Sequence, residues 1–504
     1  MNDQTPTRDD RIANLKGMGS SRKRVEDVRF TQGKGNHVDD IKMPGMLFGD
    51  FVRSPYGHAR VKSINADAVM ALAGVIAILT EADLAPLGLH WMPTLAGGKQ
   101  IVVADGKVLF QGQEVAFVVA EDRYICADAI RRVEVDHEEL PVVVDPFEAL
   151  APDAPVLRED LAGQTSGAHG VRRHHNHIFL WTTGDREATE QAIGAADVVA
   201  EEMIYYHRVH PCPLETCGCV ASMDKVNGKL TVWGTFQAPH VVRTVASLLS
   251  GIPESNIRIV SPDIGGGFGN KDGGYPGCVC SIVASIVTGK PVKWIEDRMD
   301  NLLATAFARD YWMKGRISAT KQGKITGLHC HVTADHGASD ACADPTKFPA
   351  GFFHICTGYY DIPVACVGVD GGYTNKTPGG VAYRCSFRVT EAAYFIERMI
   401  GSLAIELGMD AADLRRMNLI RKQQLPYQSV LGWECDSGDY HAAWDKVMAA
   451  VDYAGQRREQ AQRIEGLQGR QDPQTAGHWP CTLHRDRERG AGEELRHPRD
   501  GDVR

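Results

Sequence analysis

One thiol in the sequence has the neighbours expected of a reactive cysteine. In Gly379–Arg388 (GGVAYRCSFR), Cys385 lies between Arg384 and Arg388. Flanking guanidinium groups favour the thiolate, which is the form of cysteine that binds a metal or attacks an electrophile. A thiolate is also the soft ligand that Cu(I) selects. Because most free cysteines are buried in protein cores, a structural cysteine stays open as the alternative.

A second candidate site is a glycine-rich loop, Asp263–Lys271 (DIGGGFGNK). Its spacing matches neither the G-x-G-x-x-G pattern of dinucleotide-binding folds nor a P-loop. Backbone N–H groups without side chains can nevertheless approach oxo and phosphate oxygens closely. The loop therefore suits a large anionic cofactor, and an ordinary tight turn is the alternative.

Two further polar residues lie near predicted turns. Gln237 follows a strand in Thr235–His240 (TFQAPH), and Pro239 suits the first position of the next helix. An isolated glutamine after a strand is usually part of the polar surface, so Gln237 alone indicates little. Glu215 could line a substrate channel, but its neighbours assign it no role.

Histidine and cysteine spacing does not predict a zinc or iron–sulfur site. The histidines that are close in sequence lack the i, i+4 spacing of a helical zinc pair, and we interpret them as surface or core residues: His174, His175, His177, His207 and His210. The 13 cysteines are odd in number and scattered, which indicates reduced thiols. Two C-x-C pairs, Cys217 with Cys219 and Cys278 with Cys280, have no second pair at iron–sulfur spacing.

The totals exclude several classes of protein. The 504 residues carry a net charge of -9, so no electrostatic footprint for nucleic acid is present. The longest apolar stretch, Cys278–Thr288, is shorter than the about 20 residues that cross a bilayer. The N-terminus is polar and carries acidic residues, unlike a signal or transit peptide. These features predict a cytoplasmic protein without a membrane span.

The hydrophobic pattern divides the chain into five segments. Residues 1–23 form a polar segment, 24–150 an α+β domain expected to fold alone, and 151–175 a linker rich in Pro, Gly and His. Residues 176–460 form a larger α/β domain, and 461–504 a disordered tail.

Periodicity and turn signals place the candidate residues between regular elements. The predicted strands are Leu47–Val52, Val75–Leu79, Ile101–Val103, Val115–Ala120, Val133–Val135, Pro141–Val144, Val198–His207, Leu230–Gly234 and Ile257–Val260. The predicted helices are Ala66–Leu72, Tyr124–Arg132, Pro239–Leu249, Gly273–Thr288 and Thr390–Leu407, with Gly408 as a C-terminal cap and Asp410 beginning another helix. A hairpin over Met313–His331 turns at Lys321–Lys324.

Several long motifs, in the same order, resemble those of the copper–molybdenum carbon monoxide dehydrogenases within the xanthine oxidase superfamily. The resemblance extends from about Arg24 to Tyr453. Its strongest motif is VAYRCSFR, at Val381–Arg388; the others are RVEDVRFTQGKGNHVDD (Arg24–Asp40), FGDFVRSPYGHA (Phe48–Ala59), YHRVHPCPLETC (Tyr206–Cys217), WGTFQAPH (Trp233–His240) and DIGGGFGNK (Asp263–Lys271). The resemblance implies an α+β hammerhead domain followed by the first molybdenum-cofactor-binding α/β domain.

The resemblance also implies roles for individual residues. Cys385 becomes the copper ligand, and Gln237 and Phe268 lie near molybdenum, with the amide of Gln237 donating to an oxo group. The implied cofactors are molybdopterin cytosine dinucleotide carrying molybdenum, and Cu(I). The residues implied to contact the cofactor are Gln237, Gly266, Gly267, Phe268, Gly269, Arg384, Ser386, Phe387 and Arg388, and the catalytic set is Cys385, Gln237 and Arg384.

The implied reaction is the oxidation of CO with water to CO2. In the family, electrons leave through a small [2Fe–2S] subunit and a medium FAD subunit, in a dimer of heterotrimers, towards a quinone at the inner face of the cytoplasmic membrane. Two other interpretations stay open. One is a molybdenum hydroxylase acting on an aldehyde or N-heterocycle, which Cys385 disfavours. The other is an inactive remnant.

The tail supplies the reason for the last interpretation. Gly477–Arg489 (GHWPCTLHRDRER) can be back-translated so that the same bases, read one base later, encode GIGLAPFTEIV. That apolar segment resembles what the family carries at this point. We therefore expect a frameshift near Gly466–Gln474 and an out-of-frame sequence after it, without the second molybdenum-binding half.

Overall fold

The computed structural model describes residues 23–89, 91–93, 99–159, 166–167, 170–171, 175–339, 355–380, 383 and 389–468. The chain divides into two compact units, 1–420 with 426–436, and 421–425 with 437–504. The helices of the described residues are α1 (Asp27–Phe30), α2 (Asp67–Met70), α3 (Glu81–Leu84), α4 (Arg123–Ile130), α5 (Pro146–Ala149), α6 (Arg186–Gly194), α7 (Pro239–Ser250), α8 (Pro276–Thr288), α9 (Arg298–Leu303), α10 (Val389–Leu407), α11 (Ala411–Asn418), α12 (Tyr440–Ala450) and α13 (Tyr453–Gln468).

Six sheets are formed by the described strands. In chain order, these are β1 (Leu47–Arg53), β2 (Ala59–Asn65), β3 (Val75–Leu79), β4 (Trp91–Pro93), β5 (Lys99–Ile101), β6 (Lys107–Val108), β7 (Glu114–Ala120), β8 (Glu134–Glu139), β9 (Ser166–Gly167), β10 (Gly170–Val171), β11 (His177–Gly184), β12 (Val198–Tyr206), β13 (Gly218–Asp224), β14 (Lys229–Gly234), β15 (Ile257–Val260), β16 (Val292–Ile295), β17 (Tyr311–Ala319), β18 (Ile325–Asp335), β19 (Ala365–Gly372), β20 (Tyr427–Gln428) and β21 (Glu434–Cys435).

The largest sheet contains strands from both predicted domains. Its seven strands have the order β15-β14-β13-β16-β1-β7-β3. Strand β1 runs parallel to β16, with Leu47 opposite Val292, and antiparallel to β7, with Phe48 opposite Ala120. The predicted boundary at residue 150 therefore does not separate the sheet into two.

The core under this sheet is also shared. Phe51 and Phe117 are buried in one cluster with Trp294, which follows the predicted linker in the sequence. All seven residues of β7 are buried, as expected of a central strand covered on both faces. A Cβ at Gly49 would lie 2.2 Å from the Phe117 ring, so this ring occupies the space that a side chain would need.

A second sheet of five strands has the order β11-β19-β18-β17-β12. Helix α10 packs against β12 and β17, and α6 packs against β17, β18 and β19. Helix α10 is followed by Gly408, in the left-handed conformation with φ +64°, as predicted. The carboxylate of Asp410 then accepts hydrogen bonds from the N–H groups of Ala412 and Asp413 and begins α11, which confirms the predicted N-cap.

Most predicted elements near the candidate sites are confirmed within one or two residues. Strand Ile257–Val260 and the turn at Lys321–Lys324 match the structure. Two predictions in the first domain are wrong: Pro141–Val144 is not a strand, and the strand predicted at Ile101–Val103 ends at Ile101. Among the described strands of four or more residues, five were not predicted: Ala59–Asn65, His177–Gly184, Gly218–Asp224, Val292–Ile295 and Ala365–Gly372.

The second unit contains α12 and α13 within its described residues. Helix α13 continues to Gln468, so the first residues of the predicted tail are helical. The rest of that predicted tail lies outside the described residues. Across the described part of the chain, no helix is both long and apolar enough to span a bilayer.

Candidate cofactor-binding site

The structure describes one part of the predicted site. Gln237 and the loop residues Gly266, Gly267, Phe268 and Gly269 are described. The other predicted residues lie outside the described residues: Arg384, Cys385, Ser386, Phe387 and Arg388. The described part of the predicted site therefore consists of the glycine-rich loop, Gln237 and the segments that hold them.

Gln237 is hydrogen-bonded to this loop at both its main chain and its side chain. Its Oε1 accepts from the N–H groups of Gly269, at 3.0 Å, and Lys271, at 3.3 Å. Its own N–H donates to the carbonyl oxygen of Lys271 at 2.8 Å. Because two N–H donors fix the carbonyl end of the amide, the –NH2 end must point away from them. The predicted donor therefore has a fixed orientation, and the residue is exposed.

Two residues of the loop, Gly267 and Phe268, have unusual surroundings or backbone conformation. A Cβ at Gly267 would lie 2.2 Å from Oε1 of Gln237, so only glycine allows this approach. Phe268 has a positive φ of +52° and is 44% exposed. A bulky residue in this backbone region is strained, and such strain concentrates at functional sites. These features favour a binding loop over an ordinary turn.

Two N–H groups of the loop are available to a ligand. The N–H of Gly265 donates to Glu215, and those of Gly269 and Lys271 donate to Gln237. Within the described part of the chain, the N–H groups of Gly266 and Gly267 donate to no protein acceptor. Together with the amide nitrogen of Gln237, these donors fit the oxygens of an anionic cofactor.

The start of the loop is tied to the N-terminal domain. Arg29, in α1, forms an ion pair with Asp263, which also accepts from the N–H of Asn36 at 2.8 Å. The hydrogen bonds from Arg29 and Asn36 hold the pKa of Asp263 well below its usual range. This contact was not predicted, because Arg29 and Asp263 belong to different predicted domains.

Arg309 contacts described residues on both sides of Arg384–Arg388. Its guanidinium donates to the carbonyl oxygen of Tyr383, at 3.2 Å, and to the hydroxyl of Thr390, at 2.8 Å. It also pairs with Glu391, in the first turn of α10, with 2.7 Å between Nε and Oε1. No sequence signal pointed to Arg309, whose partners are distant along the chain.

The histidines occupy different environments. His177 pairs with Asp370, with 3.1 Å between Nε2 and Oδ1. Burial lowers the pKa of His210 to about 4, and its Nδ1 accepts from the N–H of Cys212 at 3.0 Å. His207 packs edge-on against Tyr205. His174 lies outside the described residues. The described residues of the chain include no group of three or more His, Cys, Asp or Glu side chains arranged to hold a metal.

Family models and known proteins match both domains. The model of the aldehyde oxidase and xanthine dehydrogenase a/b hammerhead domain matches residues 32–141, and that of the molybdopterin cofactor-binding domain matches residues 169–419. The carbon monoxide dehydrogenase large chain of Afipia carboxidovorans is 64% identical over 93% of this chain and 58% of its own length. A reconstituted CO dehydrogenase from Oligotropha carboxidovorans has the same fold, with a TM-score of 0.88 and 64% identity over 92% of this chain and 58% of that one.

A relative with a different named activity has a lower sequence identity to this chain. The large subunit of nicotine 6-hydroxylase from Paenarthrobacter nicotinovorans is 31% identical over 87% of this chain and 52% of its own length. The chain thus spans little more than half the length of these relatives.

A hammerhead domain followed by a molybdopterin cofactor-binding domain defines a molybdopterin-binding chain related to the aldehyde oxidases and xanthine dehydrogenases. The chain belongs to the xanthine oxidase superfamily, and within it the chain is 64% identical to a carbon monoxide dehydrogenase large chain. The predicted fold class, an α+β hammerhead domain followed by a molybdenum-cofactor-binding α/β domain, is confirmed.

Proposed function

We propose that this chain contributes the molybdenum- and copper-binding part of an enzyme that oxidises CO with water to CO2. The observation that carries the proposal is Cys385, in VAYRCSFR, within a chain about twice as similar in sequence to a CO dehydrogenase large chain as to a nicotine hydroxylase subunit. CO is a soft ligand, and a thiolate-bound Cu(I) is a soft metal centre that suits it.

The proposed cofactor is molybdopterin cytosine dinucleotide with molybdenum, accompanied by Cu(I) on Cys385. The donors that fit it in the described residues are the N–H groups of Gly266 and Gly267 and the amide nitrogen of Gln237. When bound, the cofactor supplies the oxygen transfer and accepts the electrons. The residues of this chain would hold and orient the cofactor, with Gln237 as a preorganised donor beside the metal.

Electrons must leave the site through other subunits. The motifs of this chain include no iron–sulfur spacing, so we propose a small [2Fe–2S] subunit and a medium FAD subunit as partners, in a dimer of heterotrimers. A quinone at the inner face of the cytoplasmic membrane would be the final acceptor.

Two alternative functions predict different measurements. A molybdenum hydroxylase would bind molybdenum without copper and oxidise an aldehyde or N-heterocycle. An inactive remnant would fold without either metal. The nicotine hydroxylase relative supports the first alternative, at less than half the sequence identity of the CO dehydrogenase relative.

The test is to express the chain with the two partner subunits and to measure molybdenum, copper and CO-dependent dye reduction. The proposed function predicts both metals and CO oxidation in the unaltered chain, whereas the inactive remnant that the expected frameshift implies would have neither. In Cys385→Ser, copper and CO oxidation should be lost while molybdenum stays. Cys212→Ser, at the exposed cysteine of the described residues, is the matched control and should keep both metals.

Three results would contradict the proposal. Copper retained in Cys385→Ser would exclude this cysteine as the ligand. Oxidation of aldehydes or N-heterocycles without CO oxidation would favour the hydroxylase. A folded, unaltered chain without molybdenum would favour the remnant.

A further inference from the structure

Glu215 connects the two ends of the glycine-rich loop. Its Oε2 accepts a hydrogen bond from the N–H of Gly265 at 2.7 Å and another from the ammonium of Lys271 at 2.9 Å. Its own N–H donates to the carbonyl oxygen of Gly265 at 3.1 Å. A single carboxylate oxygen therefore holds both the first and the last residue of Gly265–Lys271.

Lys271 connects the same carboxylate to Gln237. Its side chain is fully buried, at 0% exposure, so its ammonium needs a charged partner inside the protein. Its backbone N–H donates to Oε1 of Gln237, and its carbonyl accepts from the N–H of Gln237. A displacement of Lys271 would therefore also displace the amide of Gln237.

The packing around Glu215 leaves the loop little freedom. A Cβ at Gly265 would lie 2.6 Å from Cβ of Glu215, so the loop backbone lies directly against this side chain. Between the two ends that Glu215 holds, the N–H groups of Gly266 and Gly267 have no protein acceptor among the described residues. The loop is thus anchored at its ends and available to a ligand at its centre.

We propose that Glu215 is a positioning residue of the cofactor site. Its carboxylate, with Lys271 as the counter-ion, holds the loop in the conformation that presents Gly266, Gly267 and Gln237 to the anionic cofactor. We call Glu215 a positioning residue because its Oε2 contacts Gly265 and Lys271 of the loop and acts through them. The inference depends on the proposed cofactor site and assigns a role that the sequence alone left open.

Two double variants separate positioning from simple stabilisation. In Glu215→Met with Lys271→Met, the buried charges are removed together and no acceptor is left for the N–H of Gly265. In Glu215→Gln with Lys271→Met, the charges are also removed, but the amide oxygen of the glutamine can still accept from Gly265. Replacing a buried ion pair by neutral residues of similar volume often preserves stability, so both variants should fold.

The measurements are the midpoint of thermal unfolding, the molybdenum content and the turnover per bound molybdenum. We expect similar midpoints for the two double variants. Only Glu215→Gln with Lys271→Met should keep the molybdenum content of the unaltered chain. The Met/Met variant should lose about 10- to 100-fold in metal affinity or in turnover, as is typical for residues that orient a metal site without touching it. Lys314→Met, which breaks the exposed ion pair with Glu201, should change neither the molybdenum content nor the turnover per bound molybdenum.

The proposal fails if the Met/Met variant binds molybdenum and turns over as the unaltered chain does. It also fails if both double variants lose molybdenum equally while keeping their midpoints, because the hydrogen bond to Gly265 would then be irrelevant. If the unaltered chain binds molybdenum but does not oxidise CO, the proposed reaction fails while the molybdenum comparison still tests Glu215. An unaltered chain without molybdenum would overturn both.

Discussion

Arg309 and Glu391 form an ion pair in the interior, with 2.7 Å between Nε and Oε1 and each side chain only 2% exposed. Arg309 has a positive φ of +63° and lies close to the rings of Tyr206 and Tyr383. The same guanidinium donates to Tyr383 and Thr390. One buried cation thus joins the residues on either side of the segment that contains Cys385.

The first prediction is that Arg309→Met destabilises the protein strongly. The variant leaves Glu391 as a buried carboxylate without its partner, which typically costs about 3–5 kcal/mol. Arg398→Met, on the helix that contains Glu391, is the matched control, because Arg398 is 57% exposed and pairs with Glu202 at the surface. An exposed pair contributes about 0–1 kcal/mol. Chemical denaturation of both variants gives the comparison, and equal losses of stability would contradict the prediction.

The second prediction separates the donor and acceptor functions of Gln237. Gln237→Glu keeps an oxygen that can accept from Gly269 and Lys271 but replaces the –NH2 donor by a second oxygen. Losing one preorganised donor typically reduces turnover by about 10²–10³. We therefore expect this loss in CO-dependent dye reduction, with an unchanged thermal midpoint.

Gln237→Ala is the companion variant, and it should reduce turnover and also lower the midpoint, because the loop N–H groups lose their acceptor. If Gln237→Glu kept full turnover per bound molybdenum, Gln237 would have only a structural role.

The third prediction concerns Glu296, which is 3% exposed and accepts hydrogen bonds from Asn301 and Thr305. Burial raises the pKa of Glu296 to about 7. Between its unfolded value of about 4.3 and this folded value, the folded state binds more protons than the unfolded state. The contribution of Glu296 to stability therefore falls as the pH rises through this window, by up to about 1.4 kcal/mol per pH unit, and levels off above it.

Glu296→Gln removes this titration. The variant should be more stable than the unaltered chain at pH 8, and the dependence of its unfolding midpoint on pH should be shallower between pH 5 and 7. Thermal unfolding at several pH values measures both effects. A steeper dependence, or a loss of stability at pH 8, would be the opposite of what burial predicts.

The fourth prediction differs from the expectation, drawn from the sequence, that residues 24–150 fold alone. Strand β1 pairs with β16, and Phe51 packs edge-on against Trp294 at 6.4 Å between ring centroids. Without β16 and Trp294, the isolated segment would expose the apolar face around Phe51, and a large exposed apolar patch promotes aggregation. We expect this fragment to be aggregated or molten, and residues 23–436 to be folded.

Size-exclusion chromatography and near-ultraviolet circular dichroism would compare the two fragments. A monomeric 24–150 fragment with native-like aromatic signals would show that the shared core is dispensable for this domain.

Short-range patterns predicted several elements well. The segment Ile257–Val260 (IRIV), rich in β-branched residues, forms a strand as expected, and Asp410 caps α11 with its own carboxylate. These predictions were correct because a cap, a turn or a short apolar run depends on neighbouring residues. The Asp263–Lys271 motif also predicted a cofactor-binding loop, which stays a prediction; in the structure, Gly267 lies at close range from Gln237.

Other features have no local signal. Strand β13 is a mixed sequence, GCVASMD, that becomes a strand because it pairs with β14 on one side and β16 on the other. Glu215 likewise had no predicted role, because its partners Gly265 and Lys271 are about fifty residues away.

The sequence by itself determined the family, the order of the domains and the chemistry of the candidate residues, including the thiol of Cys385 and the amide of Gln237. Only the tertiary structure decided that β1 lies beside β16, that Lys271 is fully buried and that Glu215 is its partner. The physical reason is that the chemistry of a side chain and the preference of a short backbone segment are local properties. Burial and ion pairing instead depend on which distant segments the folded chain brings together.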